Sequence, residues 1–588
     1  MLLRRAATYV PPLLVGLLAL PFILRQNSWW EWNNAYWLLE RQTEHVKAHG
    51  VPTFFLHNLS GAFNPFFMYY AGFMTSVLAY PAAALGAWPV FAASVVLAIV
   101  CGYLGIWWTA RNLGLSAPLA VLPGLIFATT PYVLSEIYGR GAWAELIAVN
   151  AVAVILGALT ALLWHPERRR VPAYAALVAS AAVVCGTHNL TLMMAAVLVP
   201  LLVLVVLPLR PAGSPPLLPS LARAGIALTL GAGLAAAWLI PNLWFGPSTW
   251  VAQPAVNDGE FADTHGQLAL SNVLSPLPAI PDEFKGRWVY DQPPVTAMVW
   301  ALLAFVLVFA VNRHGSRRMA IAIAGIVALA IGLVLLIVHP HWWPHFPRLL
   351  RTVQFPFRLL PYLAMLTALA TVLGLVALRG PARRWMTGIL VVLVAVQVGA
   401  GVYVVTKSQA GGAVLVLPAH PSDLSANAEP TSFAGEAQLV HLQFRVLKRP
   451  YGGKPNHDPS NIELGDVVTG DTGRFAGNGR VGDRLMVPVV WSPFVRITGD
   501  ARIAGRDGNG MAMIGVTNTD AAGRWQAKTE AANPWQVVLG RVISLLSAIA
   551  IVSYLVVLLV RRRRSRRALG PRPARRDVPA DAQPAVHV

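Results

Sequence analysis

WWEWNNAYWLLERQTEHVKAHGVPTFFLHNLSGAFN, residues 29–64, places aromatics, carboxylates and histidines in one connection between two apolar segments. Connections in helical bundles usually take only a few residues. The rest of the chain decides what this one is. It is 56% hydrophobic and 12% charged over 588 residues, with a mean hydropathy of +0.56. Soluble domains carry about 25% charge, so the chain reads as a polytopic membrane protein. The long mixed stretch is then an outer-surface loop, suited to work on something embedded in lipid or delivered by it.

The net charge of +20 is distributed in a way that argues against nucleic acid. Arginines cluster at 4–5, 168–170, 313–318, 379–384 and 561–567, each beside an apolar run. That is the positive-inside pattern, and it puts both termini in the cytoplasm. Apolar segments long enough to span fall near 7–25, 89–110, 117–134, 146–164, 171–188, 190–209, 223–243, 294–312, 319–338, 360–378, 386–405 and 536–560, about twelve in all. The run at 66–87 is interrupted by Pro81, and as a full crossing it would put Arg168–Arg170 outside. It reads instead as a re-entrant or juxtamembrane helix pair, buried against protein. The apolar start lacks a small-residue cleavage site before Arg25 and reads as a retained first span. Cys101 and Cys185 both lie in apolar runs without metal-ligand spacing, which argues against a structural disulfide.

These spans divide the chain into a multi-span membrane domain, 1–405, with a large first outside loop at 26–88. A polar, turn-rich segment follows at 406–535. The runs RLMVPVVW (484–491), FVRITGDARIAG (494–505) and MAMIGVT (511–517) alternate as short strands do. They predict a small β-sandwich-like domain held outside the membrane before the last span, 536–560. The tail from 561 to 588, rich in Pro, Ala and Arg, reads as disordered and lies on anionic inner-leaflet lipid.

Several constellations could carry chemistry. From Tyr36 to His49 the pattern is helical, with Tyr36, Leu39, Thr43 and Val46 on one flank and Glu40, Glu44 and Lys47 on another. Glu31, Glu40 and Glu44 are the carboxylates of this loop. A carboxylate half-buried beside indoles has a raised pKa and could serve as a general base. A solvated helix face, with Glu40 and Glu44 paired to Arg41 or Lys47, explains two of them equally well. His45 and His49, with His57 nearby, could chelate a metal, as could His339, His341 and His345. Neither set has a third ligand at defined spacing, so no metal or other cofactor is assigned. In PYVLSEIYGRGAWAE (131–145), Glu136, Arg140 and Glu145 lie at membrane depth, where charge must be paired or functional. Arg140 could pair with Glu145 or bind a substrate phosphate. In HFPRLLRTVQFPFRLLPY (345–362), Arg348, Arg351 and Arg358 run against the positive-inside trend. Their guanidinium forks suit phosphate oxygens, or acids in the loop 244–293 such as Asp258, Glu260, Asp282 or Glu283. His188, in GTHNLT, is polar within an apolar stretch. No nucleotide-binding loop is present in the sequence.

Gly61–Tyr70 (GxxxPFFxYY), Tyr138–Glu145 (YxRGAxAE), Thr187–Asn189 (THN) and Gln354–Arg358 (QFPFR) together resemble a group of bacterial membrane proteins. These are labelled 6-pyruvoyl-tetrahydropterin synthase-related, are akin to YfhO-type proteins and are more distantly like the C-type (GT-C) glycosyltransferase superfamily. The resemblance runs over nearly the whole chain, though no residue suggests pterin chemistry. It implies a multi-pass protein of the bacterial cytoplasmic membrane that transfers sugar at its outer face. The donor would be a polyprenyl-phosphate-linked sugar, and the acceptor a cell-envelope glycan, lipid or protein. It also implies an acid early in the first loop, where this chain carries Asn33-Asn34. Glu31 then becomes the expected base, with Glu40 and Glu44 as alternatives. Arg140 and Arg358 would bind lipid phosphate, Glu145 would orient Arg140, and His188, Arg348 and Arg351 would complete the substrate site. The competing expectation is a non-catalytic assembly protein that binds lipid-linked glycan or a partner through the loop and the β-domain.

Overall fold

The computed structural model describes residues 10–25, 30–54, 56–57, 63–64, 66–69, 71–138, 141–165, 170–246, 269–270, 273, 317–351, 353, 356–411, 463–464, 474–490, 493–506 and 511–568. Among these, eight helices are long and apolar enough to cross a membrane, or nine when one bent pair is counted as a span. The chain is a multi-pass membrane protein. The segment expected to span at 294–312 lies outside the described residues.

The bundle is built from helices α1 (Val10–Leu24), α2 (Trp30–His49), α3 (Gly72–Leu85), α4 (Ala87–Asn112), α5 (Ala117–Ala128), α6 (Pro131–Tyr138) and α7 (Trp143–Trp164). It continues with α8 (Arg170–Thr187), α9 (Asn189–Val206), α10 (Leu217–Leu234), α11 (Ala236–Phe245), α12 (Arg317–Val338), α13 (Leu360–Ala377), α14 (Gly380–Gly411) and α15 (Trp535–Ala568). Helices α7 and α13 are buried over 89% and 94% of their apolar windows, so they form the axis on which the others pack. Their sequences are apolar all round, as a helix enclosed by others requires. Helix α15 buries only 6% of its window.

Two expected spans are broken, and in each case another helix supplies the missing hydrogen bonds. The segment 117–134 bends by 50° between α5 and α6. There Gln397 Nε2 of α14 donates to Ile126 O (3.0 Å) and to Thr129 Oγ1 (2.9 Å). The segment 223–243 parts at Ala235. The Ser544 hydroxyl of α15 accepts from Ala237 N and donates to Leu234 O, both at 3.0 Å. Without water, a broken helix is tolerated only when side chains replace its backbone partners, and a buried glutamine and a serine do so here.

The segment at 66–87 begins and ends at the same end of the bundle. Its start is fixed where Ala71, at φ 52°, donates its N–H to Thr187 O at the end of α8. Its far end leads into α4 beside Trp88 and Phe91, which stack near Tyr36 of α2 and Trp143 at the start of α7. Helix α3 therefore lies along α2 across the bundle end, and Gln42 of α2 donates to Ser76 of α3 at 3.2 Å.

The same end carries the strands. A five-stranded sheet has the order β1 (Leu56–His57), β2 (Phe63–Asn64), β5 (Arg484–Val490), β8 (Met511–Val516), β7 (Ala501–Arg506). A four-stranded sheet has the order β3 (Glu463–Leu464), β4 (Arg474–Asn478), β9 (Arg524–Ala531), β6 (Val495–Gly499). Inward residues of both sheets, including Leu485, Ile497, Ile514 and Trp525, share one core with Met68, Phe245 and Val537 of the bundle. The run 494–505, which alternates as a single strand would, turns at Gly499 (φ 103°) and feeds both sheets. Strand β2 of the first loop pairs in parallel with β5, Phe63 opposite Val489. The first loop thus contributes two short strands, β1 and β2, to the five-stranded sheet.

The opposite end is basic, and several of its arginines close helix ends. Arg210 Nε donates to Leu163 O of α7 (3.0 Å), and Arg383 Nε to Leu375 O of α13 (2.9 Å). Arg111 donates to Leu115 O. Cations favour helix C-termini on dipole grounds, in addition to any preference for lipid.

Candidate functional site

Four elements meet at the end covered by α2 and the sheets. Glu145 stands in the first turn of α7 and is 2% exposed. Its Oε1 accepts from Tyr132 Oη of α6 at 2.5 Å. Its Oε2 accepts from Arg358 Nε at 3.2 Å and lies 4.0 Å from His188 Nε2. Arg358 rides on the 3-10 turn Pro356–Leu359 leading into α13, and its Nη1 donates to Val353 O at 3.0 Å. A buried guanidinium and a buried carboxylate thus neutralise each other, with further hydrogen bonds on both, as burial of charge demands.

His188 is the N-cap of α9. Its Nδ1 accepts from Thr191 N (3.3 Å) and lies 2.8 Å from Thr191 Oγ1. A ring nitrogen that accepts a backbone N–H carries no proton, so the proton sits on Nε2 and faces Glu145. Tyr362 Oη of α13 donates to Thr191 O at 3.2 Å, closing the connection from α9 back to α13. The first turns of α7, α9 and α13 therefore converge, and each brings the positive end of its helix dipole.

Of the residues expected in the site, Glu145, His188 and Arg358 are brought together. Arg351 is half-buried on the preceding turn, Arg348–Arg351. Arg140 and the side chains of Glu31 and Arg348 lie outside the described residues. So do the loop acids expected as partners of the arginines. The partner found for Arg358 is Glu145, which sequence analysis had set beside Arg140. Tyr132, Thr191 and Tyr362 were not singled out from sequence. Tyrosine and threonine in apolar helices carry no local mark of such a role, although a His followed by Thr at the third position could have been read as a cap.

The first-loop carboxylates separate. Glu44 pairs with Arg41 at 3.0 Å and is partly exposed. Glu40 is buried at 8% exposure, accepts from Tyr36 Oη at 3.4 Å, and has no hydrogen-bond partner at Oε2 among the described residues. Tyr36, Leu39, Thr43 and Val46, which share one helical flank, are all buried. Of the two readings open for Glu40, a half-buried carboxylate and a solvated one, the structure shows the buried one, because α2 packs against α3, α4 and α7. Burial first, and then the Glu44 charge, push the Glu40 carboxyl above its ordinary value. A raised folded-state pKa contributes stability that is fully present below the unfolded value and lost as pH rises through the folded one. Glu40→Gln is therefore expected to raise the thermal midpoint at neutral pH and to flatten the rise in stability on acidification towards the ordinary carboxylate range. A midpoint that shifts equally at all pH values would refute this.

His45 and His49 stack at 4.4 Å between ring centroids. Among the described residues no group of three or more His, Cys, Asp or Glu could hold a metal.

No family model matches the chain, and no curated protein matches it. The resemblance to the 6-pyruvoyl-tetrahydropterin synthase-related and YfhO-type proteins rests on its motifs alone. Among solved structures, the chain is similar to the Archaeoglobus fulgidus oligosaccharyltransferase in its apo form, at 12% identity and a TM-score of 0.40. It is also similar to the archaeal oligosaccharyltransferase AglB of that organism in complex with an inhibitory peptide and a dolichol-phosphate, at 12% and 0.42. The same enzyme tethered to an acceptor peptide containing the NVT sequon gives 13% and 0.41. Each match covers 76% of this chain and 61% of the other.

Proposed function

We propose that the chain is a membrane glycosyltransferase of the C type, moving sugar from a polyprenyl-phosphate carrier to an envelope glycan, lipid or protein at the outer face. The observation that carries this reading is the buried Arg358–Glu145 pair at the meeting of three helix N-termini. Apolar residues would pack this position at lower cost, so an ion pair retained at the membrane boundary points to use. Helix N-termini and a guanidinium held by its own carboxylate form a pre-oriented anion site. In this reading Arg358 and Arg140 hold the donor phosphate, Glu145 fixes Arg358, and His188, Arg348 and Arg351 complete the substrate site. The acceptor hydroxyl loses its proton to Glu31 at the head of α2, or to Glu40, and attacks the anomeric carbon with inversion as the bond from that carbon to the donor phosphate oxygen breaks, releasing polyprenyl phosphate whose charge the arginines hold. Positioning and electrostatics supply most of the rate.

Arg358→Ala is expected to lower transfer from radiolabelled polyprenyl-phosphate sugars by about 100-fold or more. The measurement is chromatographic, on protein purified in detergent. A Glu31→Gln, Glu40→Gln, Glu44→Gln triple variant is expected to be inactive, and full transfer by it would remove the base from this loop. The Asn33-Asn34 pair favours the second reading, a non-catalytic binder of lipid-linked glycan. Donor retention by wild-type protein without turnover, across the sugars assayed, would select it.

A further inference from the structure

Helix α14 turns most of its surface outward, with only 22% of its apolar window buried. At its start lies an open groove of about 730 Å³, lined by Pro381, Arg384, Trp385, Gly388, Ile389 and Val392 among others. The lining is graded. Arg384 and Trp385, the latter 76% exposed, stand at the basic end of the bundle. Gly388, Ile389 and Val392 lead along the helix away from that end, Val392 standing roughly 12 Å from Arg384 at the helical rise per residue. Gly388 keeps the groove open, since nothing lies within 4 Å of where its Cβ would stand.

The two neighbouring arginines differ in employment. Arg383 closes the end of α13 through Leu375 O. Arg384 is exposed and makes no ion pair or hydrogen bond with any described residue. Among the described residues this cation has no counter-charge, and it stands beside an exposed tryptophan at one end of an apolar helix face. That order of charge, aromatic and hydrocarbon complements a lipid whose phosphate end is anionic.

We infer that this groove is a binding site for an anionic glycerophospholipid, with the Arg384 guanidinium on the headgroup and one acyl chain along Gly388, Ile389 and Val392. The site lies at the end of the bundle opposite the Arg358–Glu145 cluster and does not depend on the function proposed for it.

The test uses the full chain in detergent, incubated with phosphatidylglycerol or with phosphatidylcholine of the same acyl composition. Lipid retained after gel filtration is measured by mass spectrometry. Wild-type protein is expected to retain phosphatidylglycerol about five-fold over phosphatidylcholine, the preference one well-placed basic residue supplies. Arg384→Gln is expected to abolish that preference. Gly388→Leu, which keeps the charge and has room for its side chain, is expected to lower retention of both lipids. Arg379→Gln, outside the groove, is expected to leave both unchanged. Equal retention of the two lipids by wild type would overturn the proposal. So would an undiminished preference in Arg384→Gln, or unchanged retention in Gly388→Leu.

Discussion

Replacing Glu145 by alanine is expected to cost about 3–5 kcal/mol of stability, because it strands a buried cation. The expected readout is a lower thermal midpoint of the detergent-solubilised chain. Arg358 is 8% exposed, and its Nε bond to Glu145 Oε2 spans 213 positions of sequence, tying α7 to the turn before α13. Those two helices are the buried axis of the bundle, so the loss reaches the centre of the fold. Tyr132 would lose its acceptor in the same step, adding the desolvation cost of a buried hydroxyl. A double variant, Glu145→Leu with Arg358→Leu, removes both charges together. It is expected to recover most of the stability, since a buried pair is often no more stabilising than apolar side chains of similar volume. The two variants therefore divide two roles. If the pair serves only the fold, the double variant keeps sugar transfer along with its midpoint. If it holds the donor phosphate, the double variant is stable and inactive. An unchanged midpoint in Glu145→Ala would mean that the Arg358 charge is balanced elsewhere.

Which parts of this arrangement could be read in the sequence follows from the range of the interactions. Local periodicity placed the buried flank of α2, and alternation located β5 and β8. It did not find β9, whose inward residues Trp525, Ala527 and Thr529 include a small and a polar side chain. Nor did it find β2, a two-residue strand that exists only because β5 offers an edge. Sequence alone leaves Glu40 open between burial and solvent, because a helical wheel knows one helix, whereas α2 packs against three neighbours. That Glu145, His188 and Arg358 stand out is legible, since charge and imidazole are conspicuous in apolar surroundings. Their mutual pairing was not, because it arises from the packing of helices distant in the chain. Arginines at the basic end were legible as a topology signal, but not as the caps of α7 and α13.

The same axis depends on how closely α4 approaches α7, and this yields the second large effect. Gly105→Leu is expected to destabilise the chain by about 3 kcal/mol or more, the upper range for overpacking a tight core. A Cβ at Gly105 would stand 2.5 Å from the backbone carbon and oxygen of Ala153, and one at Gly157 would stand 2.6 Å from Gly105 O. These obstacles are backbone and cannot rotate away, so the helices themselves must part. Small residues at such crossings let helices gain dispersion contacts where lipid offers no hydrophobic drive. Parting them would also draw Asn112 Nδ2 from Gly157 O and Thr160 Oγ1, both at 3.0 Å, leaving a buried amide without acceptors. Gly225→Leu is the matching control, because a Cβ there meets nothing within 4 Å. It is expected to leave the midpoint unchanged or to raise it slightly through helix propensity. Equal midpoints for the two variants would show that α4 and α7 are not in backbone contact at Gly105. With contact made there, Trp143 is pressed against Phe91 and hydrogen-bonded to Ser94 at 2.8 Å. That fixes the first turn of α7, from which Glu145 projects, so the glycine crossing sets the height at which the buried pair forms.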